Sequence, residues 1–167
     1  AIIGSRIGIA SLHGVPYLFA EHPRRALGII AHAIAGDPSR SLTVIGITGT
    51  NGKSSSVLLA QRMLEQCGHR TAAFGTLGYD IAGTIHPAAH TTPFGEELVG
   101  MFRRARDAGL THVVMEASSH ALDQDRVAGI DFDVAAFTNL TQDHLDYHPD
   151  MTAYRRAKML LFERIQG

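Results

Sequence analysis

The stretch from Leu42 to Gln66 constrains this chain more than any other. An apolar run, Leu42 to Ile47, leads into Thr48, Gly49, Thr50, Asn51, Gly52, Lys53 and Ser54, and then into a segment with helical character, Ser55 to Gln66. The order is strand, glycine loop, helix start. Glycines in such a loop let successive backbone N–H groups turn inward around an anion, and the helix N-terminus adds partial positive charge to the full charge of Lys53. A hydroxyl in the next position, Ser54, suits a Mg²⁺ ion shared with phosphate oxygens. The pattern departs by one residue from the strict GxxxxGK(S/T) form, because Ile47 occupies the slot of the first glycine and Gly46 lies one place too early. The competing reading is a glycine-rich turn with an exposed lysine. The flanking strand and helix favour phosphate binding, with Gly49, Thr50, Asn51, Gly52, Lys53, Ser54 and Ser55 as the expected contacts.

Downstream segments alternate in the βα manner. Strands are expected at Val44 to Ile47, Thr71 to Gly75, Thr111 to Glu116 and Val134 to Phe137. Helices are expected at Ser55 to Gln66, closed by Gly68, at Gly95 to Ala108, and at Thr152 to Ile165 with Thr152 as its cap. This order implies an α/β fold, a mainly parallel P-loop-type sheet with helices on both faces. Ligands of such sheets bind beyond the carboxyl ends of the strands, so the Lys53 loop, Glu116 and the segment after Phe137 are expected on one rim.

The first forty residues differ. Ala1 to Ala10 alternates like a strand, Val15 to Phe19 is apolar, and Pro23 to Ala35 reads as a helix ending at Gly36, Asp37 and Pro38. A boundary is expected near Gly36 to Ser41, with residues 1–38 the remnant of a smaller N-terminal α/β domain.

The 167 residues, 45% of them hydrophobic, suffice to bury a core. A formal charge of −1 and short, interrupted apolar runs suggest neither nucleic acid nor membrane as a partner. Arg103, Arg104 and Arg106 read as one solvated helix face. The single cysteine, Cys67, excludes an internal disulfide framework, fits a reducing cytosol, and is expected to pack at a helix end before Gly68. Only two of the fifteen Lys and Arg residues are lysines, Lys53 and Lys158.

Specificity rises after the loop. The runs TGTNGKSS (48–55), HTTP (90–93), EASSHALDQDRV (116–127), FTNLTQDHLDYH (137–148) and YRRAKMLLF (154–162) together resemble the Mur ligases, ATP-dependent peptide ligases of cell-wall precursor synthesis. Within that family they look most like the branch that adds the third residue of the stem peptide. The loop run alone is shared with folylpolyglutamate synthetases and cyanophycin synthetases.

The resemblance implies roles residue by residue. Lys53 and the loop hold ATP. Glu116 and His144 bind a second Mg²⁺, and Lys158 joins them after carbamylation by CO₂, since an ammonium has no lone pair for a metal. Thr91, Thr92, Ser118, Gln124 and Arg126 contact the muramoyl peptide substrate, UDP-MurNAc-L-Ala-D-Glu. The incoming amine is meso-diaminopimelate or L-lysine. Each assignment has a plain alternative: Glu116 as an ion-pair partner, His144 as a solvated histidine, Lys158 as a surface lysine, the threonines as a turn before Pro93, Arg126 as a surface salt bridge. His90 replaces the asparagine common before the two threonines. A folylpolyglutamate synthetase-like ligase and a noncatalytic nucleotide-binding module are the rival functions. Mur ligases have three domains, so residues 39–167 are expected to be the first part of the central ATP-binding domain. With the C-terminal domain absent, the chain alone is expected to be weakly active or inactive.

Overall fold

The computed structural model describes residues 1–165. Strands β1 (Ile2–Gly4), β2 (Ser11–Leu12) and β3 (Val15–Phe19) form a small sheet in the order β1-β3-β2, with β1 parallel and β2 antiparallel to β3. Helix α1 (Pro23–Ile34) follows, with Pro23 in its first turn, where a missing N–H costs nothing. Left-handed Gly36 and Asp37 and a 3₁₀ turn, Pro38–Ser41, lead into the larger layer. There the order is β4 (Thr43–Thr48), α2 (Lys53–Gln66), β5 (Thr71–Gly75), β6 (Gly78–Ile81), β7 (Thr84–His86), α3 (Gly95–Asp107), β8 (His112–Glu116), α4 (Ser119–Asp123), β9 (Val134–Phe137) and α5 (Met151–Met159), then a 3₁₀ turn, Phe162–Arg164.

The six-stranded sheet runs β7-β6-β5-β8-β4-β9. The four strands from β5 to β9 are parallel, and the β6–β7 hairpin adds antiparallel to the edge of β5. Side chains alternate between the faces. Val44, Ala72, Phe74, Val113 and Met115 point to one face and Ile47, Ala73 and Val114 to the other. Helix α3 covers the first face with Leu98, Met101, Phe102 and Ala105, one stripe at helical spacing and all fully buried. At about 1.5–3 kcal/mol for each large side chain, this stripe is the main anchor of α3. Helix α2 covers the second face through Val57, while Gln61 donates to Thr71 O (3.4 Å) and Asp80 Oδ2 (3.0 Å). Helix α1 packs on α3, and its Gly28 lies so near the turn after α4 that a Cβ there would come 2.5 Å from Ala128 O.

Several expectations are corrected. Helix α2 begins at Lys53 and not Ser55, because left-handed Gly52 forms its N-cap. The closing helix starts at Met151 and ends at Met159. Its cap is Asp150, whose carboxylate accepts from Ala153 N (2.7 Å), a stronger acceptor than the Thr152 hydroxyl would be. The N-terminal alternation yields only Ile2–Gly4 as strand before β2. Cys67 does stand at the end of α2 but is exposed and does not pack. Among the described residues no helix is long and apolar enough to cross a membrane.

Gly46 lies in mid-strand, where a Cβ would come within 2.8 Å of both Phe132 and Leu161. Gly46→Ala is expected to lose about 1–3 kcal/mol through overpacking, measurable as a lower urea midpoint. His32 is buried edge-on to Phe102, and neither ring nitrogen has a hydrogen-bond partner among the described residues. Burial lowers its pKa, against the pull of Asp37 and Asp131. As pH falls below the ordinary value near 6.5, the unfolded chain gains a proton that the folded one resists, so stability falls toward acid. His32→Leu is expected to flatten that loss and to add roughly 1 kcal/mol at pH 7, read by denaturation at pH 5 to 7.

Candidate functional site

The register of the parallel strands brings four strand ends to one rim. Ile47 pairs with Glu116, Thr48 with Phe137, and Phe74 with Met115. Gly49, Thr76, Ala117 and Thr138 therefore leave the sheet side by side, which brings the Lys53 loop, Glu116 and the segment after Phe137 to one rim as expected and adds Thr76 to it. Gly49 takes φ +141°, and a Cβ there would strike the Thr138 hydroxyl, so only glycine fits this crossing. No side chain caps α2, which leaves its first-turn N–H groups, those of Ser54 and Ser55 included, to an anion.

The loop is shaped by the segment after β9. Thr50 N donates to Asn139 O (2.9 Å), and Asn51 N to Asn139 Oδ1 (3.0 Å). Thr138 Oγ1 and Asn139 Nδ2 donate to Asn51 O at 2.7 and 3.0 Å. Thr50 Oγ1 accepts from Thr141 N (3.0 Å) and shares a 3.0 Å hydrogen bond with the buried Tyr154 hydroxyl.

Both lysines converge on this loop. Lys53 Nζ donates to Gly49 O (3.0 Å) and Thr50 O (2.7 Å). Lys158, carried by α5 and 1% exposed, donates to the same Gly49 O (2.6 Å) and lies 4.4 Å above the Tyr154 ring. The reading of Lys158 as a surface lysine is therefore excluded. Burial lowers the pKa of Lys53, with Glu116 and Asp143 opposing. Burial, and next the repulsion of Lys53, brings Lys158 down to about 8, against the pull of Asp143. Two ammonium groups around one carbonyl form a strong anion-attracting point.

Glu116 is buried at the end of β8. Its Oε1 accepts from Ser54 Oγ (2.8 Å) and Thr76 N (2.8 Å), and Oε2 lies 3.3 Å from Thr76 Oγ1. A Cβ on Gly75 would lie 2.9 Å from the carboxyl carbon, so the missing side chain makes room for the carboxylate. Hydroxyl and carboxylate oxygens side by side in that cradle are a donor pair suited to a hard cation such as Mg²⁺. His144, at φ +53°, is not in that cradle. It sits 3.6 Å from Asp143 Oδ2 and packs against His120 and Tyr154, with ring centroids 4.9 and 5.9 Å away. Among the described residues no three or more His, Cys, Asp or Glu side chains converge to hold a metal.

The candidate substrate residues form a second constellation beside the first. Thr92 is buried; its hydroxyl donates to Glu116 O (2.8 Å) and accepts from Ser118 N (3.1 Å). Ser118 Oγ caps α4 through Ala121 N (3.2 Å). Thr91 Oγ1 lies 3.0 Å from Thr76 Oγ1. Arg126 lies 4.2 Å over the Phe94 ring and grips Gln124 Oε1 at 3.0 and 2.8 Å and Thr92 O at 3.2 Å. Its partners are neutral, so its charge remains for a ligand. A cavity of about 230 Å³ opens there, lined by Arg24, Leu27, Phe94, Glu96, Gln124 and Arg126. His90 serves through its backbone, where the carbonyl accepts from Tyr79 OH (2.5 Å). Thr76, Thr138, Asn139 and Tyr154 carry contacts for which sequence reasoning had assigned no role. For Thr76 the available signal was a hydroxyl one residue beyond a strand on the ligand-binding rim.

The family model of the Mur ligase middle domain matches residues 47–167. A UDP-N-acetylmuramoyl-L-alanyl-D-glutamate--2,6-diaminopimelate ligase of Corynebacterium glutamicum is 50% identical over 147 residues, which are 88% of this chain and 28% of that protein. A solved structure described by the same ligase name superposes with a TM-score of 0.83 at 32% identity, covering 98% of this chain and 33% of that one. E. coli FolC in complex with DHPP and ADP shares the fold, with a TM-score of 0.65 at 21% identity over 83% of this chain and 38% of its own. The chain spans under a third of the length of the curated relatives it matches. Across residues 47–167, the chain belongs to the Mur ligase family through its middle domain.

Proposed function

We propose that this chain is the nucleotide and metal half-site of an ATP-dependent MurE-type ligase that adds the third amino acid to UDP-MurNAc-L-Ala-D-Glu. Residues 39–167 carry that half-site, and residues 1–38 belong to the preceding substrate domain. The complete reaction is assigned to a polypeptide that supplies the other domains. The observation that carries the reading is the convergence of Lys53 and Lys158 on the Gly49 carbonyl, beside the buried Glu116 carboxylate.

In the proposed reaction the substrate carboxylate attacks the γ-phosphorus of ATP and ADP leaves. The amine of the incoming amino acid, meso-diaminopimelate or L-lysine, then attacks the acyl carbon, phosphate departs and the new amide nitrogen loses its proton. Lys53 and the first-turn amides of α2 counter charge on the phosphoryl oxygens, which is electrostatic positioning and not proton transfer. Ser54 and Glu116 would hold Mg²⁺, which when bound supplies further charge screening. Arg126, Gln124, Ser118 and the Thr91–Thr92 pair orient the peptide carboxylates.

Lys158 fits carbamylation. Its neutral amine nitrogen attacks CO₂ and loses a proton, giving an anionic carbamate with oxygen donors. With a pKa of about 8, roughly a tenth of Lys158 is neutral at pH 7, against well under a thousandth for an ordinary lysine. The carbamate would then offer oxygen donors to a metal on the rim that carries Glu116, while His144, placed outside the Glu116 cradle, would reach such a metal only by moving. The names of the relatives favour this ligase over a folylpolyglutamate synthetase, since FolC shares only the fold. A noncatalytic nucleotide-binding module would have no use for a modified Lys158.

Lys53→Ala is expected to weaken Mg·ATP binding at least about tenfold in calorimetry, since it removes a charge-assisted contact to phosphate. With ¹³C-labelled bicarbonate, the chain is expected to show a carbamate carbon resonance that is absent in Lys158→Arg. At constant dissolved CO₂ that signal rises from pH 7 to 9, as the amine deprotonates. A chain that binds ATP but forms no carbamate would favour the noncatalytic module.

A further inference from the structure

Three donors hold the Glu116 carboxylate, and they are not equivalent. Ser54 Oγ is itself a candidate cation ligand, so it is no independent brace. The other two come from Thr76, whose N–H reaches Oε1 at 2.8 Å and whose hydroxyl lies 3.3 Å from Oε2. The same hydroxyl donates to Thr91 Oγ1 at 3.0 Å. A threonine hydroxyl has one proton and therefore donates one full hydrogen bond at a time. In the structure that proton is shared between Thr91 Oγ1 at 3.0 Å and Glu116 Oε2 at 3.3 Å; were Thr91 to turn its own proton toward Thr76, the Thr76 proton would go wholly to Glu116. When Thr91 donates elsewhere, Thr76 donates to Thr91 and Oε2 is released.

We propose that Thr76 is a positioning residue that aims Glu116 at the divalent cation, and that its single hydroxyl proton couples the cation site to Thr91. The assignment rests on the reading of Ser54 and Glu116 as the cation site. A ligand atom that donates to Thr91 frees the Thr91 proton for Thr76 and so braces the carboxylate. A ligand atom that accepts from Thr91 loosens it. Occupancy on the acceptor side is thus reported to the metal side as the gain or loss of one hydrogen bond, and by linkage the cation changes the affinity of that ligand by the same factor.

The test titrates Mn²⁺ into the 167-residue chain and follows the free-ion signal by electron paramagnetic resonance, so it needs neither substrate nor turnover. Thr76→Val keeps the N–H and the shape but removes the hydroxyl; it is expected to weaken Mn²⁺ about tenfold, the lower end for loss of a residue that orients a ligand, while Thr76→Ser stays within about twofold. Thr91→Val leaves Glu116 as the only acceptor for the Thr76 proton and is expected to tighten Mn²⁺ roughly threefold, a modest hydrogen-bond effect. In a Thr76→Val background the same Thr91 change is expected to do nothing, because the coupling residue is gone. Unchanged binding in Thr76→Val, failure of Thr76→Ser to restore it, or an equal effect of Thr91→Val in both backgrounds would overturn the proposal. A chain that binds no Mn²⁺, or whose binding survives Glu116→Gln, would overturn the cation site itself and the coupling with it.

Discussion

Parallel pairing of β4 with β8 on one side and β9 on the other governs the rest of the structure. Register, once chosen, is shared by every residue along a strand, and a slip of one residue would turn each side chain to the opposite face. With Ile47 opposite Glu116 and Thr48 opposite Phe137, three chain segments leave the sheet at one level. That coincidence makes the other contacts possible: Thr138 against Gly49, Asn139 against Asn51, Ser54 against Glu116. The two hydrophobic clusters on the faces of the sheet defend this register, since Val44, Val113 and Met115 cannot exchange places with Ile47 and Val114 without exposing both cores.

The loop illustrates how local and distant sequence combine. Its own residues supply the backbone freedom, through Gly49 and Gly52, and the charge, through Lys53. Its shape comes from about ninety residues downstream, where Thr138, Asn139 and Thr141 satisfy its backbone and its threonine. A further clamp comes from α5, which contributes the Tyr154 hydroxyl and the Lys158 ammonium. Five runs of sequence that look separate on paper are therefore parts of one surface.

Much of this was legible beforehand because it rests on short-range rules. Strand, glycine loop and helix are neighbours in sequence, and Thr71 to Gly75 and Val134 to Phe137 form the strands their apolar runs predict. The mainly parallel sheet and the shared rim follow from βα alternation, whereas the strand order does not. Less legible were features decided by competition or by tertiary contact. Asp150 took the cap expected of Thr152 because an aspartate carboxylate two residues earlier was available to Ala153 N. The β6–β7 hairpin lacked an expected label because Gly78 to His86 is short, with its turn at Ala82 and Gly83. The role of Thr76 depends on Glu116, forty residues away, and on the absence of a side chain at Gly75. Lys158 shows both limits at once: its family role came from a motif, whereas its burial and its shared acceptor with Lys53 emerge only when α5 folds back over the loop.

The meeting of two ammonium groups on the Gly49 carbonyl has a thermodynamic meaning of its own. Like charges held together by the fold are compressed against one another, as in a spring set when α5 docks. An anion entering between them, or the conversion of one cation into an anion, relaxes that compression. A fold that holds two cations this close carries their repulsion as a cost, which a neighbouring negative charge would offset.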